Sequence, residues 1–206
     1  MDNKNSWQNK EILTALVVGV IVGVGFSLIF NNNESKSNLI KEYYEIENAV
    51  SVSPHDLKVT LQQGIMDKNF IVVDLRSAGQ YAAGHIPGAI SVPASSEDGE
   101  DNRARLVETF RGLEDIKGDR DIITYCNSAA CMLSRKVGLA LAEEGIYVKH
   151  LNIGWNEWEH YWTLWNGKDG VDPEHFIARG EEPGEARLDD DEKVLAPCAA
   201  DAEFSC

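Results

Sequence analysis

The sequence predicts an α/β domain with a mainly parallel sheet and helices on both faces, preceded by one N-terminal transmembrane helix. Three observations lead to that reading. Short apolar runs at Phe70–Asp74, Asp121–Tyr125 and residues 147–151 alternate with helix-periodic stretches, the pattern of buried parallel strands joined by helical crossovers. Residues 12–30, ILTALVVGVIVGVGFSLIF, carry no charge, and as a helix they would reach roughly 28 Å, the thickness of a bilayer core. The chain has 206 residues, 43% hydrophobic and 26% charged, enough for one globular domain with appendages.

Taken in order, residues 1–11 form a short N-terminal segment ahead of the 12–30 span. That span ends in Leu28-Ile29-Phe30-Asn31 with no small-x-small cleavage site, which favours a retained anchor over a signal peptide. Lys4, Lys10 and the amino terminus precede it, against Lys36 and Lys41 after it, so the amino terminus is expected inside and the domain on the extracytoplasmic, periplasmic side. Residues 31–48 read as a polar linker and a juxtamembrane helix, with Leu39, Ile40, Tyr43, Tyr44 and Ile46 as its apolar positions and its periodicity running over 39–49. The main domain is expected over 49–166. There Ser53-Pro54 supplies an N-cap and first-turn proline for a helix over 54–63 that Gly64 closes. Residues 78–83 and 103–111 also read as helical. Beyond Cys126, the positions Leu133, Val137, Leu139, Ala140 and Leu141 predict a helix ending at Gly145, followed by the 147–151 strand. Trp155, Trp158, Trp162 and Trp165 recur at helical spacing, which predicts a core-facing stripe; a stripe at the membrane interface is the alternative. Residues 167–206 are expected to be a loosely packed or disordered acidic tail.

The charge narrows the partners. Lysine plus arginine total 19 against 34 aspartate plus glutamate, a formal net charge of −15, which disfavours nucleic acid and anionic membrane surfaces. Residues 172–206 alone hold eleven acids and three bases, so more than half of the excess lies in the tail.

Four cysteines, Cys126, Cys131, Cys198 and Cys206, lack the paired C-x-x-C spacing of structural zinc, and no metal or cofactor is expected. Cys198 and Cys206 read as a tail disulfide without a catalytic motif. Cys126 falls between a strand end and a helix start, where unpaired N–H groups and the helix dipole favour a thiolate or persulfide. A buried, inert cysteine is the competing reading of that residue alone.

Cys126 has company in the order Val73-Asp74-Leu75-Arg76, then Gln80-Tyr81-Ala82-Ala83-Gly84-His85-Ile86-Pro87-Gly88-Ala89, then Tyr125-Cys126, then Leu151-Asn152-Ile153-Gly154-Trp155-Asn156-Glu157-Trp158. This series resembles the rhodanese superfamily over about residues 49–166. The resemblance implies a five-stranded parallel sheet and sulfane-sulfur transfer through a persulfide on Cys126. It also makes Asn127, Ser128, Ala129 and Ala130 the substrate loop, with Asp74 and Arg76 as a supporting polar network. Gly84, Pro87 and Gly88 fit a tight turn in which His85 is hydrogen-bonded. Gln80 stands where the family usually has glutamate.

The loop departs from the family, whose active members carry basic and glycine residues there. Thiosulfate, a dianion, finds no cation in Asn127-Ser128-Ala129-Ala130, and Arg135 and Lys136 lie further along, so polysulfide or a protein persulfide is the expected donor. Cys131 is expected to act as a resolving thiol toward Cys126, its alternative being a packing residue. The resulting expectation is a membrane-anchored sulfurtransferase that passes sulfur from Cys126 to a thiol or other nucleophile, on a small molecule or a protein. Two alternatives stay open: a thiol–disulfide redox protein using Cys126 and Cys131, and a catalytically silent rhodanese-like binding module.

Overall fold

Continuous apolar runs set the centre of the sheet, and everything else is arranged around them. The computed structural model describes residues 36–95, 103–166 and 171–186. The expected anchor at 12–30 and the expected tail disulfide between Cys198 and Cys206 lie outside the described residues. Among the described residues, no helix is long and apolar enough to cross a membrane.

The chain divides into two units, residues 1–45 and 46–206. Helix α1 (Lys36–Val50) crosses that division. It begins three residues earlier than its apolar periodicity suggests, and an i,i+4 pair between Lys41 and Glu45 supports its exposed face.

The larger unit carries five parallel strands, β1 (Ser51–Val52), β2 (Phe70–Asp74), β3 (Ile90–Ser91), β4 (Asp121–Tyr125) and β5 (Lys149–Leu151), in the order β1-β5-β4-β2-β3. Strands β2 and β4 pair along their full lengths, from Phe70 opposite Asp121 to Asp74 opposite Tyr125. Successive residues face opposite sides, so Val72 and Ile123 join one apolar cluster while Val73 and Ile122 join the other. The first cluster takes Leu57 and Leu61 from α2 (Pro54–Gln62), Met66 from α3 (Met66–Asn69) and Tyr81 from α4 (Ala78–Ala83). The second takes Leu106 and Phe110 from α5 (Arg103–Ile116), with Val137 and Leu141 from α6 (Leu133–Ala142). The two clusters account for helices on both faces.

Several boundaries move for identifiable reasons. The Ser53 hydroxyl accepts from the His55 N–H as expected, and the chain leaves α2 through Gly64 at φ +63°. Helix α5 continues past residue 111 because Leu113 still packs on the second cluster. Helix α6 stops at Ala142, before the Gly145 turn, and Leu139 is 65% exposed, so it does not belong to the buried face. Only residues 149–151 of the expected 147–151 strand find ladder partners on β4 and β1, and Tyr147 is exposed.

The tryptophan stripe is core, as expected, but it is carried by two short helices, α7 (Trp155–His160) and α8 (Trp162–Asn166), with a break at Tyr161. Trp158 sits 5.6 Å from Trp162 edge-on and stacks on Trp165 at 5.1 Å.

The expected domain end at 166 and the reading of 167–206 as a loose tail need correction within 171–186. A 3-10 turn at Pro173–Phe176, capped by Asp172, delivers Phe176 and Ile177 into the first cluster, with Phe176 completely buried and Ala178 buried after them. Trp158 Nε1 donates to the Phe176 carbonyl at 2.8 Å, and His85 and Ala178 exchange backbone hydrogen bonds at 2.9 Å each. Three apolar residues amid acids are too few to show a period, yet they close the core beside α7.

Candidate functional site

The site is assembled where β2 and β4 end side by side. Asp74 is the last residue of β2, and Cys126 directly follows Tyr125, its register partner's strand end. Carboxyl ends of parallel strands present loops to one rim of the sheet, which is where such folds place their chemistry.

Asp74 and Arg76 form a buried pair. Arg76 Nη2 lies 2.6 Å from Asp74 Oδ2, its Nε is 3.0 Å from both carboxylate oxygens, and its backbone N–H donates to Oδ1 at 2.9 Å. The same Nη2 donates to the Gly84 carbonyl at 2.6 Å. The guanidinium centre also lies 4.7 Å from the Trp155 ring and 5.7 Å from that of Tyr125. Its charge is therefore matched within the protein.

Two buried phenols flank the pair. Burial, then the Asp74 charge and a hydrogen bond to it, push Tyr125 well above the ordinary phenol range. Tyr81 is pushed up to about 12, by burial first and then by Asp74 and Glu182. Both remain protonated near neutrality; Tyr81 Oη donates to the Ala89 carbonyl at 2.6 Å and the Tyr125 oxygen accepts from the Ile86 N–H at 3.3 Å. His85, expected as a hydrogen-bonded turn residue, is fully buried, stacked on Tyr81 at 3.7 Å, with ring nitrogens 2.9 Å from the Tyr81 carbonyl and 3.1 Å from that of Pro183.

Cys126 is 3% exposed, and its sulfur is bonded to that of Cys131, with the two Cα atoms 6.4 Å apart. That separation is within the range disulfides need. Between them Asn127, Ala129 and Ala130 are exposed and Ser128 is half-buried. The following helix starts only at Leu133, so the sequence expectation that Cys126 directly heads a helix needs correction: Cys131 is the cysteine beside that helix start. Arg135 and Lys136 are both exposed on α6.

The loop is gripped by the start of α7. Trp155 N donates to the Cys126 carbonyl at 2.9 Å and Asn156 N to the Asn127 carbonyl at 2.8 Å. Gly154 is required here by proximity rather than by backbone angle: a Cβ on it would stand 2.6 Å from the Asn127 carbonyl carbon and overlap the Ser128 nitrogen. Glu157 completes the clasp. Its Oε2 accepts from Gly154 N at 2.9 Å and from Ala129 N at 3.1 Å. From the other side, Gln80 Nε2 donates to Asn127 Oδ1 at 3.1 Å, a neutral contact available to this residue where an acid is usual. Glu157 received no role from the sequence; the signal that could have found it is an acid three residues after the glycine that opens a helix, the return half of a capping box.

A cleft of about 470 Å³ opens beside this loop, lined by Arg76, Gln80, Ala83, Asn127, Ser128, Trp155 and Asn156. Amides and an indole make up its polar and apolar walls. A larger groove of about 980 Å³ between α5 and the end of α6 is lined by Arg103, Glu108, Arg111, Asp115 and Glu144, and holds no nucleophile.

A family model described as a rhodanese-like domain matches residues 53–161. The chain is 36% identical over 87 residues to the HTH-type transcriptional regulator Rv0324 of Mycobacterium tuberculosis, a match covering 42% of this chain and 33% of that protein. It is 30% identical over 115 residues to the sulfur carrier protein TtuD of Thermus thermophilus, covering 53% of this chain and 35% of that one. The chain thus spans about a third of the length of these curated relatives. Among solved structures, the BH2092 protein from Bacillus halodurans is 25% identical with a TM-score of 0.48, covering 75% of this chain and 92% of that one.

Proposed function

The chain belongs to the rhodanese-like domain family, and from that premise we propose that it transfers sulfane sulfur through a persulfide on Cys126 to a thiol or other nucleophilic acceptor. A sulfur-transfer-related role is supported at the level of the family and by similarity to a sulfur carrier protein. The observation that carries the finer reading is the placement of Cys126. It heads a loop whose carbonyls are held by α7, beside the cleft, while the N–H groups of Asn127, Ser128 and Ala130 have no protein acceptor among the described residues. Such free amides suit a single negative charge on a terminal sulfur.

The cycle needs the disulfide opened first: two thiols reduce the Cys126–Cys131 bond and leave as one disulfide. The Cys126 thiolate then attacks the sulfane sulfur of a persulfide donor, RS–SH, forming Cys126–S–SH and releasing RS⁻. An acceptor thiolate takes the outer sulfur and restores the Cys126 thiolate. The Cys131 thiolate competes by attacking the inner sulfur, expelling HS⁻ and closing the disulfide again.

That disulfide favours one second reading, thiol–disulfide exchange through the same two cysteines. Intact mass of the reduced Cys131→Ala variant after persulfide treatment separates the two, since no internal attack can then close a disulfide: sulfur transfer leaves an adduct of about 32 Da on Cys126, and exchange confined to the cysteine pair leaves none. Cys126→Ser is expected to abolish turnover; sulfur transfer by that variant at the parent's rate refutes the assignment. We also propose that residues 12–30 anchor the chain with the domain extracytoplasmic, on the strength of the uncharged apolar run. Protease added to spheroplasts should then digest the domain, whereas protection until lysis reverses the orientation.

A further inference from the structure

We infer that Glu157 is a specificity-determining residue that excludes sulfur-oxyanion donors from the Cys126 loop and leaves it to persulfide donors. This rests on the sulfur-transfer reading above and names the donor class at the same site. One carboxylate oxygen of Glu157 takes the Ala129 N–H at 3.1 Å while also holding Gly154 N at 2.9 Å. An amide donor of the substrate loop is thereby filled by the protein's own anion. Among the described residues, no basic side chain pairs with Glu157, so two amide N–H groups and no cation meet its charge at the loop.

The neighbouring cation does not offset it. Arg76 lines the cleft, but its charge is paired with the buried Asp74 carboxylate through Nε and Nη2, and Nη2 also donates to the Gly84 carbonyl. A thiosulfate ion would have to bring two negative charges, one of them on a sulfonate, next to a fixed carboxylate with fewer free amides to receive it. A low-molecular persulfide such as glutathione persulfide presents one charge at the reacting sulfur and keeps its carboxylates several bonds away. Both reactions balance: thiosulfate plus Cys126–S⁻ gives Cys126–S–S⁻ and sulfite, and glutathione persulfide plus Cys126–S⁻ gives Cys126–S–SH and the glutathione thiolate.

The experiment compares the full-length parent with Glu157→Gln, both pre-reduced and freed of reductant, loading Cys126 from thiosulfate or from glutathione persulfide and following the adduct by intact mass. Glutamine keeps an oxygen for the Gly154 and Ala129 amides and removes the charge. The expected result is a ratio of thiosulfate to glutathione persulfide loading rates about tenfold higher in Glu157→Gln than in the parent, whatever the change in either rate alone. An unchanged ratio of the two rates overturns the inference. A second measurement stands apart from the folding of the variant: thiosulfate loading of the parent should accelerate with added salt, as repulsion is screened, and a rate that falls with salt also overturns it. Absence of any Cys126 adduct from either donor in reduced Cys131→Ala, where no internal attack can remove it, removes the sulfur-transfer reading itself and this inference with it, a result distinct from equal selectivity.

Discussion

Replacing Cys131 with alanine removes a covalent tie whose contribution can be worked out from the fold. The two cysteines are five residues apart, and closing so small a loop removes unfolded-chain entropy that amounts to about 2 kcal/mol at 25 °C. For a domain of roughly 130 residues unfolding with about 2.1 cal/mol/K per residue, this corresponds to a Tm lower by about 7 °C. Cys131 is only half-buried, so the lost packing adds less than about 1 kcal/mol. The same change at fully buried Cys126 would mix a cavity into the measurement. Thermal unfolding of parent and Cys131→Ala should therefore differ by about 7 °C under oxidising conditions and converge once the parent is reduced. In parallel, the persulfide on Cys126 should outlive that of the reduced parent, because the internal attack that releases sulfide is gone. Equal melting points under oxidising conditions would refute the stabilising role of the tie. Equal persulfide decay would leave Cys131 as a packing residue.

Gly154→Ala is expected to cost about 1–3 kcal/mol and to reduce sulfur transfer at least about tenfold, because its Cβ would meet the loop backbone 2.6 Å from the Asn127 carbonyl carbon. Chemical denaturation and turnover measure the two effects, and parent-like turnover would mean that the loop has room to move. Phe176→Ala should cost about 3–5 kcal/mol by opening a cavity against Trp162, whose ring stacks on Phe176 at 5.1 Å. A loss below about 1 kcal/mol in a denaturant titration would return residues 173–178 to the tail.

What could be read from the chain follows the range over which each feature is decided. Phe70–Asp74 and Asp121–Tyr125 were legible to the residue because a central parallel strand is apolar on both faces and its signal is continuous. The Ser53 cap was legible because capping is settled within four residues, and the same local logic, a Ser77–Gln80 capping box, underlies the 78–83 helix. Strands β1 and β3 have two residues each, and pairing with β5 and β2 defines them rather than any local pattern. Phe176, Ile177 and Ala178 hid among acids because their burial depends on Trp158 and His85, far away in the chain. At the site, Cys126 and its order relative to Asp74 and Arg76 could be seen in the sequence. The proximity of Gly154 and Glu157 to residues 127–129 could not, since it arises when α7 docks on a loop 25 or more residues earlier.

The charges around the loop then fall into two groups with different roles. Burying Asp74 and Arg76 costs desolvation that their attraction only partly returns, so net stabilisation is a poor explanation for the pair. Its geometry supplies a better one. With Nη2 on the Gly84 carbonyl and the guanidinium 4.7 Å from the Trp155 ring, Arg76 ties the 84–88 turn to the residue whose N–H holds the Cys126 carbonyl. Gly84 makes that contact close, since a Cβ there would lie 2.7 Å from the Trp155 ring. Arg76 is thus a positioning residue for the cysteine loop, with Nε and Nη2 held by Asp74 and Gly84. Glu157, on the same helix as Trp155, holds the loop further along through Ala129 N. Holding the loop in place and pairing Arg76 with Asp74 are therefore consequences of one arrangement, in which the start of α7 meets both the 84–88 turn and the cysteine loop.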